Sequence, residues 1–388
     1  MVGKRRRWLV GLLLLAGIGL GATWPWWRDL GLAALLIGEL THPEREGLMA
    51  RLTDAPAVSR VTFRGSRRAM EALLYAPRSP GSRAAVILVH GVVETGKDDP
   101  RLVWAARLLA RAGFVVFTPD FLGFKSLTLR TSDIGELVDS FRYLESRRDV
   151  VRPDRIGLFG FSYGAGPMLI AAADPAIRDR VRFAISLGGY YDLRNVIRFI
   201  TTGTYEHGGQ AWHLTPHDYP RWIFFRYNLD LLGDARDRRL LAEIAEAKAK
   251  DERVDATPLA RDLGPEGRAA YEVLTNRDPA RVEALLAATG PLLREHLVVL
   301  SPARIASDIR ARVYLVHSDP DPFIPHTESL KLAEALASSG NARVTLLRIF
   351  DHVRPTFPDP TISNMLRVYL PEGTKLLSLI ADILSQRR

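Results

Sequence analysis

In Gly160-Phe161-Ser162-Tyr163-Gly164 a serine has glycine two residues away on either side. This is the spacing of a nucleophile held in a strained strand-to-helix turn, where larger side chains at the flanking positions would collide with neighbouring backbone. A serine hydroxyl is a weak nucleophile until a base removes its proton, so the chemistry implied is covalent attack with a basic partner elsewhere in the chain. The surroundings fit. An apolar run, Ile156–Phe159, leads in, and a small-residue segment, Tyr163–Ala173, leads out. Pro167 departs from the pattern unless it lies in the first helical turn, where a missing N–H costs little.

A second cluster holds Glu206, His207, His213, His217 and Asp218 among Tyr205, Trp212 and Tyr219. His213 and His217 have the i, i+4 spacing that binds zinc on a helix. Pro216 and the Gly208-Gly209 pair argue against a regular helix there. The cluster reads as an aromatic, polar lid; no metal and no cofactor are implied.

The elements that must position the serine come from hydrophobic patterning. Val58–Phe63 and Ala69–Tyr75 look like two strands joined around Gly65-Ser66. Ala84–Val89 is a short, wholly apolar run, typical of a parallel strand buried on both faces. Helix Arg101–Ala112, strand Phe114–Thr118, helix Ile134–Arg147, strand Ile156–Phe159, helix Tyr163–Ala173 and strand Phe183–Leu187 follow. Strict alternation of this kind predicts a mostly parallel α/β sheet with right-handed crossovers. It stops near Asp192 and resumes with strand Val313–Val316, helix Ser329–Ala337, strand Val344–Ile349 and a helix around Leu376–Leu384. The intervening stretch, about 120 residues, is too long for a loop and reads as a helical insertion.

With these elements placed, the chain resembles the α/β-hydrolase superfamily, in particular its esterase and dienelactone-hydrolase-like members. Four motifs carry the resemblance over residues 58–192 and 300–388. They are His90-Gly91-Val92 after the strand Ala84–Val89, the elbow Gly160–Gly164, the turn His317-Ser318-Asp319-Pro320-Asp321-Pro322-Phe323-Ile324-Pro325, and Phe350-Asp351-His352 after the final strand. The order Ser…Asp…His is that of this superfamily. The resemblance implies Ser162 as nucleophile, His352 as base and Asp321 as the acid that orients it. It implies an oxyanion hole from the backbone N–H groups of Val92 and Tyr163, with Gly160 and Gly164 as the elbow glycines. Asp319 is the alternative acid, and Asp192 a more distant one. His317 is the rival base, though its place at a strand edge reads as structural, and His90 reads as a residue that fixes its loop.

Composition narrows the classes. The chain has no cysteine, which excludes disulfides, thiolate metal sites and a cysteine nucleophile. Its net charge of +9 is spread along the chain and interleaved with acids, unlike the basic stripe of a nucleic-acid binder. The dense block Lys4-Arg5-Arg6-Arg7 instead precedes Trp8–Trp27, twenty residues without a charge and with tryptophan at both ends. That is the length and flanking of a membrane-spanning helix whose basic end stays in the cytoplasm. A cleaved signal peptide is the alternative, although cleavage after Ala22 would leave Leu20 where a small residue is wanted. The run Leu30–Gly38 is too short to span, and should lie at the interface or against the domain.

The resulting expectation is an anchor over 1–28, a linker or interfacial segment over 29–57, a hydrolase core over 58–192 and 313–388, and a helical cap over 193–312. The function expected is hydrolysis of a small-molecule ester or related acyl bond through an acyl-enzyme, by a protein anchored in a membrane with its catalytic domain outside the cytoplasm, or secreted after cleavage. A peptidase or acyltransferase on the same triad, and a non-catalytic binding module on a hydrolase core, are the alternatives.

Overall fold

The computed structural model describes residues 23–40, 47–217 and 221–388. Eight strands form one sheet: β1 (Ala57–Arg64), β2 (Ala69–Ala76), β3 (Arg83–Val89), β4 (Val115–Pro119), β5 (Val151–Phe161), β6 (Val181–Leu187), β9 (Arg312–Ser318) and β10 (Ala342–Leu347). Their spatial order is β1-β2-β4-β3-β5-β6-β9-β10. The β1–β2 and β2–β4 pairs are antiparallel and every later pair is parallel. The apolar run in β3 shows why parallel strands are legible here. Ala85, Ile87 and Val89 enter the core on one face, while Ala84, Val86 and Leu88 enter the core on the other. A strand covered on both sides has no polar face to alternate with.

Helices cover both faces. On one side lie α3 (Ser132–Ser146), α4 (Ala165–Ala172) and α9 (Thr327–Ala335); on the other lie α2 (Pro100–Arg111) and α10 (Leu370–Ser385). Helix α2 starts where its residues require it, with the Asp99 carboxylate accepting from Arg101 N–H at 2.9 Å and proline at the first position. Pro167 is the third residue of α4, within its first turn, as the position of a tolerated proline demands.

Residues 23–40 form helix α1, so the stretch expected to be a linker opens as helix. Ala33 and Leu36 are buried against the α2/α10 side of the sheet, and Asp29 pairs with Arg387 and Arg388 at the far end of α10. The run Leu30–Gly38 therefore lies against the domain. Most of the expected anchor, residues 1–22, lies outside the described residues; Trp24, Trp26 and Trp27 begin α1 and are exposed. Among the described residues no helix is long and apolar enough to cross a membrane.

Between β6 and β9 the chain builds the cap from α5 (Leu193–Thr202), α6 (Ala235–Lys250), α7 (Pro265–Thr275), α8 (Pro291–Val299) and shorter helical turns. It has a small core of its own around Trp222, Leu241, Ile244 and Leu274. The insertion is not wholly helical: β7 (Thr204–His207) and β8 (Gln210–His213) form a hairpin. Its turn is Gly208-Gly209, both at positive φ (+56° and +76°), the conformation that matches the twist of two-residue hairpins.

Candidate active site

The elbow forms where β5 ends. Ser162 takes φ +51°, a left-handed conformation that costs a non-glycine residue roughly 1–3 kcal/mol and persists only where packing enforces it. The flanking glycines permit that packing. A Cβ on Gly164 would stand 2.2 Å from the His90 carbonyl oxygen, and one on Gly160 would stand 2.6 Å from the Ala165 Cα. The histidine that faces Ser162 arrives from the other end of the chain. His352 occupies the turn of a small hairpin between β11 (Phe350–Asp351) and β12 (Arg354–Pro355), itself at φ +56°.

Ser162 Oγ lies 2.8 Å from His352 Nε2, and His352 Nδ1 lies 2.8 Å from Asp321 Oδ2. These contacts determine the imidazole tautomer. An ionised carboxylate only accepts, so the ring proton sits on Nδ1 and Nε2 is left free to accept from the serine hydroxyl. Asp321 is buried, and its Oδ1 accepts from Phe323 N–H at 2.8 Å and Ile324 N–H at 3.0 Å. Burial by itself pushes this carboxyl up, but the charge and hydrogen bonds of the His352 and His317 rings outweigh it and hold the group well below the usual carboxylate range. The Phe323 ring stacks on His352 at 4.9 Å, and His217 stacks on Phe323 at 4.3 Å.

The other candidates fall elsewhere. Asp319 faces His326, with Oδ1 3.3 Å from Nδ1. Asp192 caps α5 and pairs with Arg194. His317 is fully buried behind the acid, its Nε2 2.9 Å from the Ile324 carbonyl oxygen and its Nδ1 2.8 Å from Ser329 Oγ. Since that carbonyl can only accept, Nε2 carries the proton, and it also lies 3.4 Å from Asp321 Oδ2. His317 therefore buttresses the Asp321 carboxylate. His90 spans its own loop, with Nδ1 2.8 Å from Gly91 O, while Phe121 N–H donates to Nε2 at 3.3 Å. Burial lowers the His90 pKa and favours that neutral ring. His213 is in β8 beside Gly203, whereas His217 stacks on Phe323.

Val92 and Tyr163 line the same cavity as Ser162 and His352, and the loop carrying Val92 is close enough that a Cβ on Gly91 would stand 3.4 Å from the Ser162 Cβ. The Tyr163 side chain points inward, edge-on to Phe124 and stacked on Tyr190. The cavity holds about 2300 Å³, against roughly 300–1,000 Å³ for an ordinary small-molecule pocket.

Several supports had no sequence signature. Glu328 is fully buried and its Oε2 accepts from Tyr191 N–H (3.1 Å) and Asp192 N–H (2.9 Å), holding the chain where it leaves β6 for the cap. Asn228 of the cap bonds the backbone of Leu127 and Leu129, about 100 residues earlier.

Asp133, in the first turn of α3, is fully buried, and among the described residues no side chain donates a hydrogen bond to it. Burial, with the Glu136 charge second, pushes its pKa up to about 7. A pKa raised in the folded state means that the folded chain holds a proton the unfolded chain has released. Stability should therefore fall as pH rises from about 4 to about 7. Asp133→Asn removes this slope, by at most about 4 kcal/mol over the window. Urea unfolding of both proteins across that range checks it; parallel pH dependences would disprove it.

A family model described as alpha/beta hydrolase fold matches residues 84–352. Among solved structures, the chain is similar to the acylaminoacyl peptidase of Pyrococcus horikoshii (14% identity, TM-score 0.52, covering 88% of this chain and 43% of that one). It is also similar to a puromycin-hydrolyzing peptidase of Mycobacterium tuberculosis (16% identity, TM-score 0.50, covering 89% and 40%). The chain thus spans less than half the length of either, and identities this low speak for the fold alone. No curated protein sequence matches it.

Proposed function

This chain belongs to the α/β-hydrolase fold family, and on that premise we propose that it is a serine hydrolase cleaving a carboxylic ester through an acyl-enzyme on Ser162. The observation that carries the reading is the unbroken relay from Ser162 Oγ through His352 to the Asp321 carboxylate, with both links at 2.8 Å. Ser162 Oγ bonds to the substrate carbonyl carbon as His352 Nε2 takes its proton. The oxyanion that forms is held by the Val92 and Tyr163 N–H groups. On collapse, the bond to the leaving oxygen breaks and His352 returns the proton to it. Water, deprotonated by the same ring, then attacks the acyl-enzyme, and Ser162 recovers its proton as the acid departs. Asp321 stabilises the imidazolium in both halves.

The mainly hydrocarbon lining of the cavity favours an ester with an apolar acyl or alcohol part over a charged peptide. Labelling by a fluorophosphonate probe tests the nucleophile: wild type should react, while Ser162→Ala and His352→Ala should not. A matched ester and amide pair tests the bond. Comparable turnover of the amide would move the assignment to a peptidase, and an unreactive, folded wild type would favour a binding module.

The proposal includes attachment to a membrane through Trp8–Trp27, with the catalytic domain outside the cytoplasm. Its support is the uncharged length of that segment, the basic block before it and its continuation along the sequence into α1. Alkaline carbonate extraction should leave the full chain with the membranes. Release into the supernatant, with a mass lacking the first 22 residues, would show cleavage instead.

A further inference from the structure

The cavity at Ser162 is larger than the space beneath the cap. Its lining also includes Leu36 and Leu40 of α1, Trp104 and Leu108 of α2, and Leu376 and Leu384 of α10. These six residues, all apolar, belong to the face of the sheet opposite α3 and α4. The connectivity explains how a space there reaches the triad. Helix α2 follows the loop that carries Val92, and α10 follows the hairpin that carries His352, so the crevice between the two helices begins beside Ser162. Helix α1 lies over it as an outer wall. From Leu376 to Leu384 the lining follows eight residues of helix, about 12 Å.

We propose that this crevice is a second arm of the substrate site, taking an extended hydrocarbon chain attached to the scissile bond. The inference rests on the serine-hydrolase reading above and deepens it by naming the substrate class: a long-chain ester rather than a short one. Apolar side chains that face a void lack contact partners on its open side, and methylene groups supply them where leucine and tryptophan form the wall. Each methylene moved from water into such a lining should raise affinity about three- to fourfold until the arm is full. A chain on the acyl side and one on the alcohol side share this chemistry.

Fluorophosphonates separate the two, because the carbon substituent on phosphorus stands in for the acyl part and the alkoxy substituent for the alcohol. The rate of Ser162 labelling by the full chain would be measured with an ethyl or a dodecyl group in each position. One of the two series should favour the dodecyl probe by well over tenfold, and that series identifies the side. Ala105 also lines the arm; Ala105→Phe, which places a ring there from α2, and Leu36→Phe, which does so from α1, should each cut the dodecyl-to-ethyl ratio at least tenfold. Equal rates for both lengths in both series would overturn the arm while leaving the nucleophile intact. So would a ratio unchanged in both folded variants. No labelling by any probe would overturn the hydrolase reading, and the arm with it.

Discussion

Ser162→Ala is expected to lower kcat for ester hydrolysis by about 10⁵- to 10⁶-fold, the scale on which a serine triad fails when its nucleophile is removed. The fold should tolerate the change. Ser162 Oγ makes its hydrogen bond to His352 and the turn is held by the close approach of Gly160 and Gly164 to neighbouring backbone, which alanine leaves untouched. The remaining rate would reflect only substrate binding and the oxyanion donors. Steady-state kinetics on an active ester, with circular dichroism as the control for folding, measures it. A folded variant within tenfold of wild type would exclude Ser162 as the nucleophile.

The second large effect belongs to Asp321→Asn, for which a loss in kcat of about 10⁴ is expected. The surrounding donors determine how the amide must sit. Phe323 N–H and Ile324 N–H both point at the Oδ1 position, so the amide oxygen has to occupy it. The NH₂ group then stands where Oδ2 stood, facing His352 Nδ1. A donor there forces the ring proton onto Nε2, and a protonated Nε2 in the neutral ring cannot accept from Ser162. The variant would retain the triad's shape with the wrong tautomer. The same NH₂ would also meet the N–H of His317, so some loss of stability accompanies the loss of rate. Asp319→Asn changes a side chain that faces His326 and should leave turnover within a few fold of wild type. The two substitutions compared on one ester decide between the acids; the reverse ranking would transfer the role to Asp319.

Much of the frame was legible before folding because its signals are local. Parallel strands such as β3 are covered on both faces and show as continuous apolar runs, and the elbow is five consecutive residues whose glycines are required by close backbone contacts. The hairpin in the cap escaped the helical reading for the converse reason. Its strands are four residues long and β8 is exposed throughout, so neither carries apolar alternation. Its one local mark was the Gly208-Gly209 pair. The Leu30–Gly38 run was visible as apolar, but its partners, α2 and α10, begin some 60 and 330 residues later.

Which functional groups are available, and in what order, is written along the chain: a serine in a glycine-flanked turn, two aspartates in one loop, a histidine after the last strand. Asp319 and Asp321 differ in where their carboxylates point rather than in residue type, and it is the folded chain that sets Asp321 against His352 and Asp319 against His326. It likewise made His317 a buttress, by setting the Ile324 carbonyl and the Ser329 hydroxyl against its two nitrogens, and it joined the crevice under α1 to the serine. Side-chain chemistry is carried by each residue alone. Direction, protonation state and enclosed space depend on strand ends and helices brought together from opposite ends of the chain.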